Sequence, residues 1–399
     1  MNPFFEQLGR TVLERWKQTN FSLEVFPEIA EMALTESPPS EHVDLDDLVH
    51  EFLCNDEQPF QSQSGFGQPE LVAYVDQRFY IQILFWLDGT TDIHQHEFSG
   101  AFHVMAGSSI HAEFDFEVAQ SITPHLRIGD LRMKQIELLE TGHTVPITSG
   151  QGCIHSLFHL DSPSVTVVVR TQNDPGTGPQ FNYLPPHIAM DPNQEDALTM
   201  RRKQLLDVLE TVGHPDYAQL VIEMVDSLDF ERGFYTLQHA LGHLQDLGEW
   251  ESVFEAFQEK HGELANGIPD TLAESRRRDI IADMRGHIDD PDLRFFLALL
   301  MNVPTRADIL DLIAERFPDQ PPVETVLRWA EELIVPTDFG IALLDATIPE
   351  SADESIAAQA DSLIAALRIA IEDNEETFPE ELTEFHAALS ASCLSILFS

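Results

Sequence analysis

From Pro3 to about Leu53 apolar side chains return at helical spacing, as in Phe4, Leu8, Val12, Leu13 and Trp16. The turn-rich ESPPSEH segment separates this stretch from a second helical run, DLDDLVHEFL. After the polar QPFQSQSGFGQPE segment the period shortens to that of strands: LVAYVD, FYIQILFWLD, DIHQH, AFHVMAG, SIHAEFDFEV, LRIGDLRMKQIELLE, HTVPI, CIHSLFHLD and SVTVVVRTQ. Gly, Pro, Asp and Thr punctuate these runs, and no helical pattern lies between them, which predicts an antiparallel sandwich or barrel and not βαβ units. From about Asn193 the pattern is helical again, in segments such as QEDALTMRRKQLLDVLETV, RGFYTLQHALGHLQ, SVFEAFQEKHGELA, RADILDLIAERF, VETVLRWAEELI and SIAAQADSLIAALRIAIED. The spacing therefore predicts an α+β chain. N-terminal helices occupy 1–55, an antiparallel β domain 56–185 and an all-α domain 193–399, with the boundary in the Pro-rich GTGPQFNYLPPHIAMDPN segment.

Charge narrows the partners. The 69 Asp and Glu against 22 Lys and Arg give a formal net charge of -47, so nucleic acid and other polyanions are excluded as expected partners. Lys17, Lys134, Lys203 and Lys260 are the only lysines, and such an acid-rich, lysine-poor surface stays hydrated in salt. Cys54, Cys153 and Cys393 are odd in number and unclustered, which fits a reducing cytoplasm and no disulfide framework. The N-terminus lacks a basic start before an apolar block, and no stretch approaches a membrane span, so neither export nor a membrane partner is expected.

The chemistry concentrates in DGTTDIHQHEFSGAFHVMAG. His94 and His96 are two apart on a strand and share one face, so both imidazoles can bind one metal. A third ligand must come from another strand, and QGCIHSLFHLDSP offers His155, with His159 on the same face four residues on. His103 lies on the next strand as a candidate proton relay or further ligand, and His159 is a candidate of the same kind. Cys153 shares the side of His155, whereas Glu97 points away from that of His96. Tyr80, Trp86, Phe102 and Arg78 are candidate pocket lining. His239 and His243, at helical spacing, read as partly buried or surface histidines, since one pair supplies too few ligands.

These residues resemble the two cupin motifs. The His94-Gln95-His96 pair and Gly107 fit the first, with Gly89 one residue nearer than usual to His94, and Gly152 with His155 fits the second. The position of the usual glutamate ligand falls at Gly100 or Ala101, which leaves a histidine-only site similar to that of the thiol dioxygenase branch. VDQRFYIQILFWLDGTTDIHQH and HLDSP also look like the matching segments of cysteine dioxygenases. The resemblance spans about residues 71 to 175, roughly a quarter of the chain. The arginine that anchors the amino-acid carboxylate in those enzymes is missing near Val72, with Arg78 the nearest substitute, and no cysteine stands near Ala101 for their Cys-Tyr crosslink.

What the resemblance implies is a cupin jelly roll holding iron(II) on His94, His96 and His155, with zinc or manganese as alternative metals. His103, His159, Arg78 and Tyr80 would surround a small thiol or other anionic metabolite that reacts with dioxygen. The rival readings are a zinc or manganese isomerase or hydrolase and a non-catalytic cupin sensor or scaffold. The helical half is expected to cover the barrel mouth or to form a homodimer.

Overall fold

The computed structural model describes residues 2–61, 65–334, 356–372 and 379–398. It shows the expected α+β chain, with helices before and after an antiparallel β structure. Five strands form an open sheet in the order β1 (Glu70–Val75), β2 (Phe79–Trp86), β9 (Ser164–Thr171), β4 (Gly100–Ala106), β7 (Thr144–Ile147). A closed barrel follows the order β10 (Asn182–Leu184), β11 (Ile188–Met190), β6 (Leu126–Glu140), β5 (Ser108–Thr123), β8 (Gly150–His159), β3 (His94–His96). β10 and β11 lie in the Pro-rich segment that reads as a linker. Each is three residues long and flanked by prolines, too short for a period-two pattern to show.

The open sheet is buried on both faces, which explains the nearly unbroken apolar runs of β2 and β9. Alternation sorts the side chains. Phe79, Ile81, Ile83 and Phe85 of β2 join Val165, Val167 and Val169 of β9 and Ala101 and Met105 of β4 in one core. That core is covered by α1 (Pro3–Gln18), α2 (Phe26–Glu36), α3 (Pro39–His42) and α4 (Leu45–Cys54), through Phe5, Leu8, Val12, Trp16, Phe26 and Leu48. Asn2 starts α1 by accepting from the Phe4 amide, with Pro3 at the first position. The opposite residues of the same strands, Tyr80, Gln82, Leu84, Trp86, Phe102, Thr166, Val168 and Arg170, face the barrel and line a cavity against it.

The helical half rests on the barrel. Ile110, Phe158 and Leu160 pack in one core with α10 (Pro291–Asn302), whose nine buried residues of twelve make it the central helix of that region, and with α11 (Pro322–Ile334). Leu126 and Ile188 pack against α6 (Tyr217–Ser227), α7 (Phe230–Asp246) and α8 (Trp250–His261). α9 (Ile268–His287) contributes Arg285, which is fully buried and donates to the carbonyl oxygens of His159 (2.8 Å), Leu87 (3.1 Å) and Asp161 (3.0 Å). A buried guanidinium with several fixed acceptors is a costly group to disturb. Among the described residues no helix is long and apolar enough to cross a membrane.

Candidate metal centre

The three predicted ligands meet. His94 on β3 is paired in register with His155 on β8, and His96 follows two residues on with a bulge between them. One ligand atom from each of His94, His96 and His155 lies within 4.8 Å of the others. His96 Nε2 and His155 Nε2 are 2.9 Å apart. All three side chains are nearly inaccessible, at 4%, 5% and 2% exposure. The cluster sits in the cleft between barrel and open sheet, because the opposite face of β3 and β8 is taken by Ile93, Gln95 and Ile154, which pack with or bond to Tyr183 in the barrel core.

The donor set fits a metal ion. Metal–imidazole bonds of about 2.0–2.1 Å ask for nitrogens roughly 3 to 4 Å apart; here one pair is 2.9 Å apart and all three lie within 4.8 Å, so small side-chain adjustments suffice. His94 Nε2 is buried with no hydrogen-bond partner among the described residues, while its Nδ1 is held by the Asp92 carbonyl at 2.8 Å. An orphaned imidazole nitrogen aimed at two others is explained by a shared ion. Burial, reinforced by the neighbouring imidazoles, holds His96 and His155 well below the usual histidine range, and burial lowers His94 too. The rings are neutral, the form that binds metal.

The other sequence candidates separate. Tyr80 lines the cavity, and burial raises its phenol above the ordinary value, so the hydroxyl keeps its proton. His159 shares the face of His155 as expected, but it stacks on Trp86 (4.8 Å, 16°) and sits behind that ring, outside the cavity lining. Its Nδ1 meets Ser109 Oγ at 2.9 Å, its Nε2 is buried without a partner among the described residues, and burial lowers it to about 3. His103 belongs elsewhere. It has the parity of Ala101 and Met105, not of Phe102, so it crosses the open sheet to Ser40 Oγ (2.9 Å) and Thr144 Oγ1 (2.8 Å) under α3. Arg78 is likewise displaced from the pocket, because it lies beyond the end of β1 in the turn before β2 and lays its guanidinium over Phe21 at 4.2 Å. Cys153 stands outside the cavity lining, with burial pushing its thiol up to about 12. His239 and His243 pair with Asp207 and Glu210 on α5 (Ala197–Thr211).

Two groups escape the sequence pattern. Arg170 ends the Val-Val-Val run of β9 inside the cavity. It packs over Phe98 at 3.5 Å and Tyr80 at 5.0 Å, donates to the carbonyls of Thr171 and Gln172, and has no carboxylate at ion-pair distance among the described residues. Phe98 also touches His96, with centroids 4.4 Å apart, so the Arg170 guanidinium and the histidine cluster share one aromatic neighbour. The second group is His111, whose Nε2 meets His155 Nδ1 at 2.9 Å and whose Nδ1 meets Glu137 Oε1 at 3.1 Å. An arginine directly after three valines on a buried strand is a signal the sequence does carry. The His111 contact depends on the register of three strands and leaves none.

The cavity holds about 330 Å³, walled by Phe66, Leu84, Trp86, Phe98, Phe102 and Val168 besides its polar groups. No protein-family model matches the chain, and no curated protein does. Among solved structures it is similar to the capsular polysaccharide assembling protein CapF from Staphylococcus aureus, at 17% identity over 39% of this chain and 43% of that chain, with a TM-score of 0.19. CapF with the inhibitor 3-isopropenyl-tropolone aligns at 16% identity over 39% and 46%, with a TM-score of 0.16. The chain thus spans less than half the length of the CapF chains it matches, and a likeness this slight implies no shared chemistry.

Proposed function

We propose that this protein is a mononuclear non-haem iron(II) oxygenase of the cupin kind, acting with dioxygen on a small anionic metabolite, a thiol among the candidates. The observation that carries the reading is the convergence of three neutral imidazoles, with no carboxylate among them, on a largely apolar cavity that also holds the Arg170 guanidinium, which lies in the field of Glu70, Asp174 and Glu97 without an ion-pair contact to any of them. An iron(II) ion on His94, His96 and His155 would keep its full positive charge and open positions for an anionic donor and dioxygen. The chain's own residues supply the rest. Arg170 binds the anionic end of the substrate through charge-assisted hydrogen bonds and fixes its distance from the histidines. Tyr80 Oη holds a proton that can be donated to the same group. Phe98, Phe102, Trp86 and Val168 exclude water from the reacting end.

The reading is tested by elemental analysis of protein purified without added metal, beside His94→Ala and His155→Ala. Near-stoichiometric iron lost from both variants, followed by dioxygen uptake with short thiol or hydroxy carboxylates, is the expected result. Zinc or manganese in the wild type with no uptake would move the assignment to the hydrolase or isomerase reading. A wild type that takes up no metal even after anaerobic iron loading would refute it.

A further inference from the structure

His111 and Glu137 are directly opposite each other on β5 and β6, on the face that also carries Glu113. Directly opposed residues of an antiparallel pair bring their Cβ atoms to about 5 Å, which explains the 3.1 Å contact between His111 Nδ1 and Glu137 Oε1. On the other side of β5, His111 is in register with Leu157 of β8, so its diagonal neighbour on the same face is His155, two residues away. The 2.9 Å contact from His111 Nε2 to His155 Nδ1 follows. Both ring nitrogens of a fully buried histidine are therefore committed, one to a ligand histidine and one to a carboxylate that is itself 44% exposed.

From this geometry we infer that Glu137 and His111 form a two-step support for the metal centre, fixing the tautomer of His155 and raising its strength as a ligand. The inference rests on the reading of the histidine cluster as a metal site. A ring that gives its Nε2 lone pair to a metal must carry its proton on Nδ1. That assigns every proton in the chain: His155 Nδ1–H donates to His111 Nε2, and His111 Nδ1–H donates to the Glu137 carboxylate. Negative charge at Glu137 thereby favours electron density on His155 Nε2 through an intervening imidazole. His94 Nδ1 is held by a neutral acceptor, the Asp92 carbonyl, whereas His155 Nδ1 is backed through His111 by the Glu137 carboxylate.

His111, Glu113 and Glu137 also lie close enough to hold an ion of their own. The existing contacts argue for the support instead. Glu113 is engaged by Lys134 (3.1 Å) and Gln135 (3.1 Å), and a second ion would have to take a His111 nitrogen that already meets Glu137 or His155. A cation beside His155 would also withdraw the electron density that the carboxylate supplies.

The test is a competition titration of the apo-protein with zinc(II) against a chromophoric chelator, for wild type, His94→Ala, Glu137→Gln, His111→Leu and the Glu137→Gln/His111→Leu double variant. One zinc per chain is expected, with affinity about 10- to 100-fold weaker in His111→Leu and several-fold weaker in Glu137→Gln. In the His111→Leu background, Glu137→Gln should have no further effect, because its influence passes through the missing ring. Equal affinity in wild type and Glu137→Gln, or full additivity of the two changes, overturns the support. Two zinc ions per chain, one of them lost with Glu137, overturns it in favour of a second site. If His111→Leu fails to fold, the exposed Glu137→Gln carries the test alone. Absence of zinc binding in the wild type would instead count against the metal centre, and His94→Ala marks that failure separately.

Discussion

Replacing His103 by leucine should weaken the fold most at neutral pH and least in acid. In the native state this ring is fully buried between Ser40 and Thr144, and burial, with His143 adding to it, lowers its pKa from 6.5 to about 4. The folded chain keeps the ring neutral where the unfolded chain would protonate it. The contribution to stability is therefore intact above about pH 6.5, falls as pH falls, and is fully lost below about pH 4. A difference of about 2.5 units at about 1.4 kcal/mol per unit is worth about 3 kcal/mol in full, and about 2 kcal/mol of it is gone at pH 5. His103→Leu removes the titrating ring but leaves the two hydroxyls without their partner, a loss of about 1–3 kcal/mol at pH 7.5. Urea unfolding of wild type and variant at pH 7.5 and pH 5 reads the effect as a difference of differences, in which the acid-rich background cancels. The wild-type advantage should shrink by about 2 kcal/mol on going to pH 5. An advantage that does not change with pH would refute the buried neutral ring, and loss of metal binding in His103→Leu would refute its placement across the sheet from the cavity.

Arg170→Met should weaken binding of a short carboxylate to the metal-loaded protein by about 10- to 100-fold, the value of charge-assisted hydrogen bonds of about 1.5–3 kcal/mol, while metal content stays unchanged; calorimetric titration checks it, and unaltered affinity would remove Arg170 from the substrate end of the cavity. Arg285→Met leaves three carbonyl oxygens without their donor and should lower stability by about 3 kcal/mol or more in urea unfolding; a loss below about 1 kcal/mol would mean that water replaces the guanidinium without penalty.

The histidine cluster was legible because two constraints act locally. A His-x-His pair on a strand must share a face, and a third histidine on a second strand needs only a register that brings it opposite, as His155 is to His94. The α+β order was legible for the same reason, since the change of period from helix to strand and back survives in the sequence. Parity misplaces His103 only when it is ignored: Phe102 and His103 are adjacent on one strand and cannot both enter the cavity. Arg170, His111 and Glu137 depend on which strands become neighbours, and that is decided by closure of the barrel and by the open sheet, not by any single segment. The hairpin of β10 and β11 was hidden because prolines at its borders read as a linker.

That hairpin sets the limits of modularity in this chain. Asn182 of β10 pairs with His94, and β11 pairs with β6, so the strand carrying two of the clustered histidines is held on one side by residues from the segment that joins the barrel to the helices. A recombination breakpoint at residue 185, where the composition changes, parts β10 from β11 and leaves β10, the strand beside β3, as an unsupported edge. Grafting this histidine cluster onto another protein, in evolution or at the bench, therefore requires carrying the chain through at least Met190. The barrel and the start of the helical half are inherited together or the site is lost.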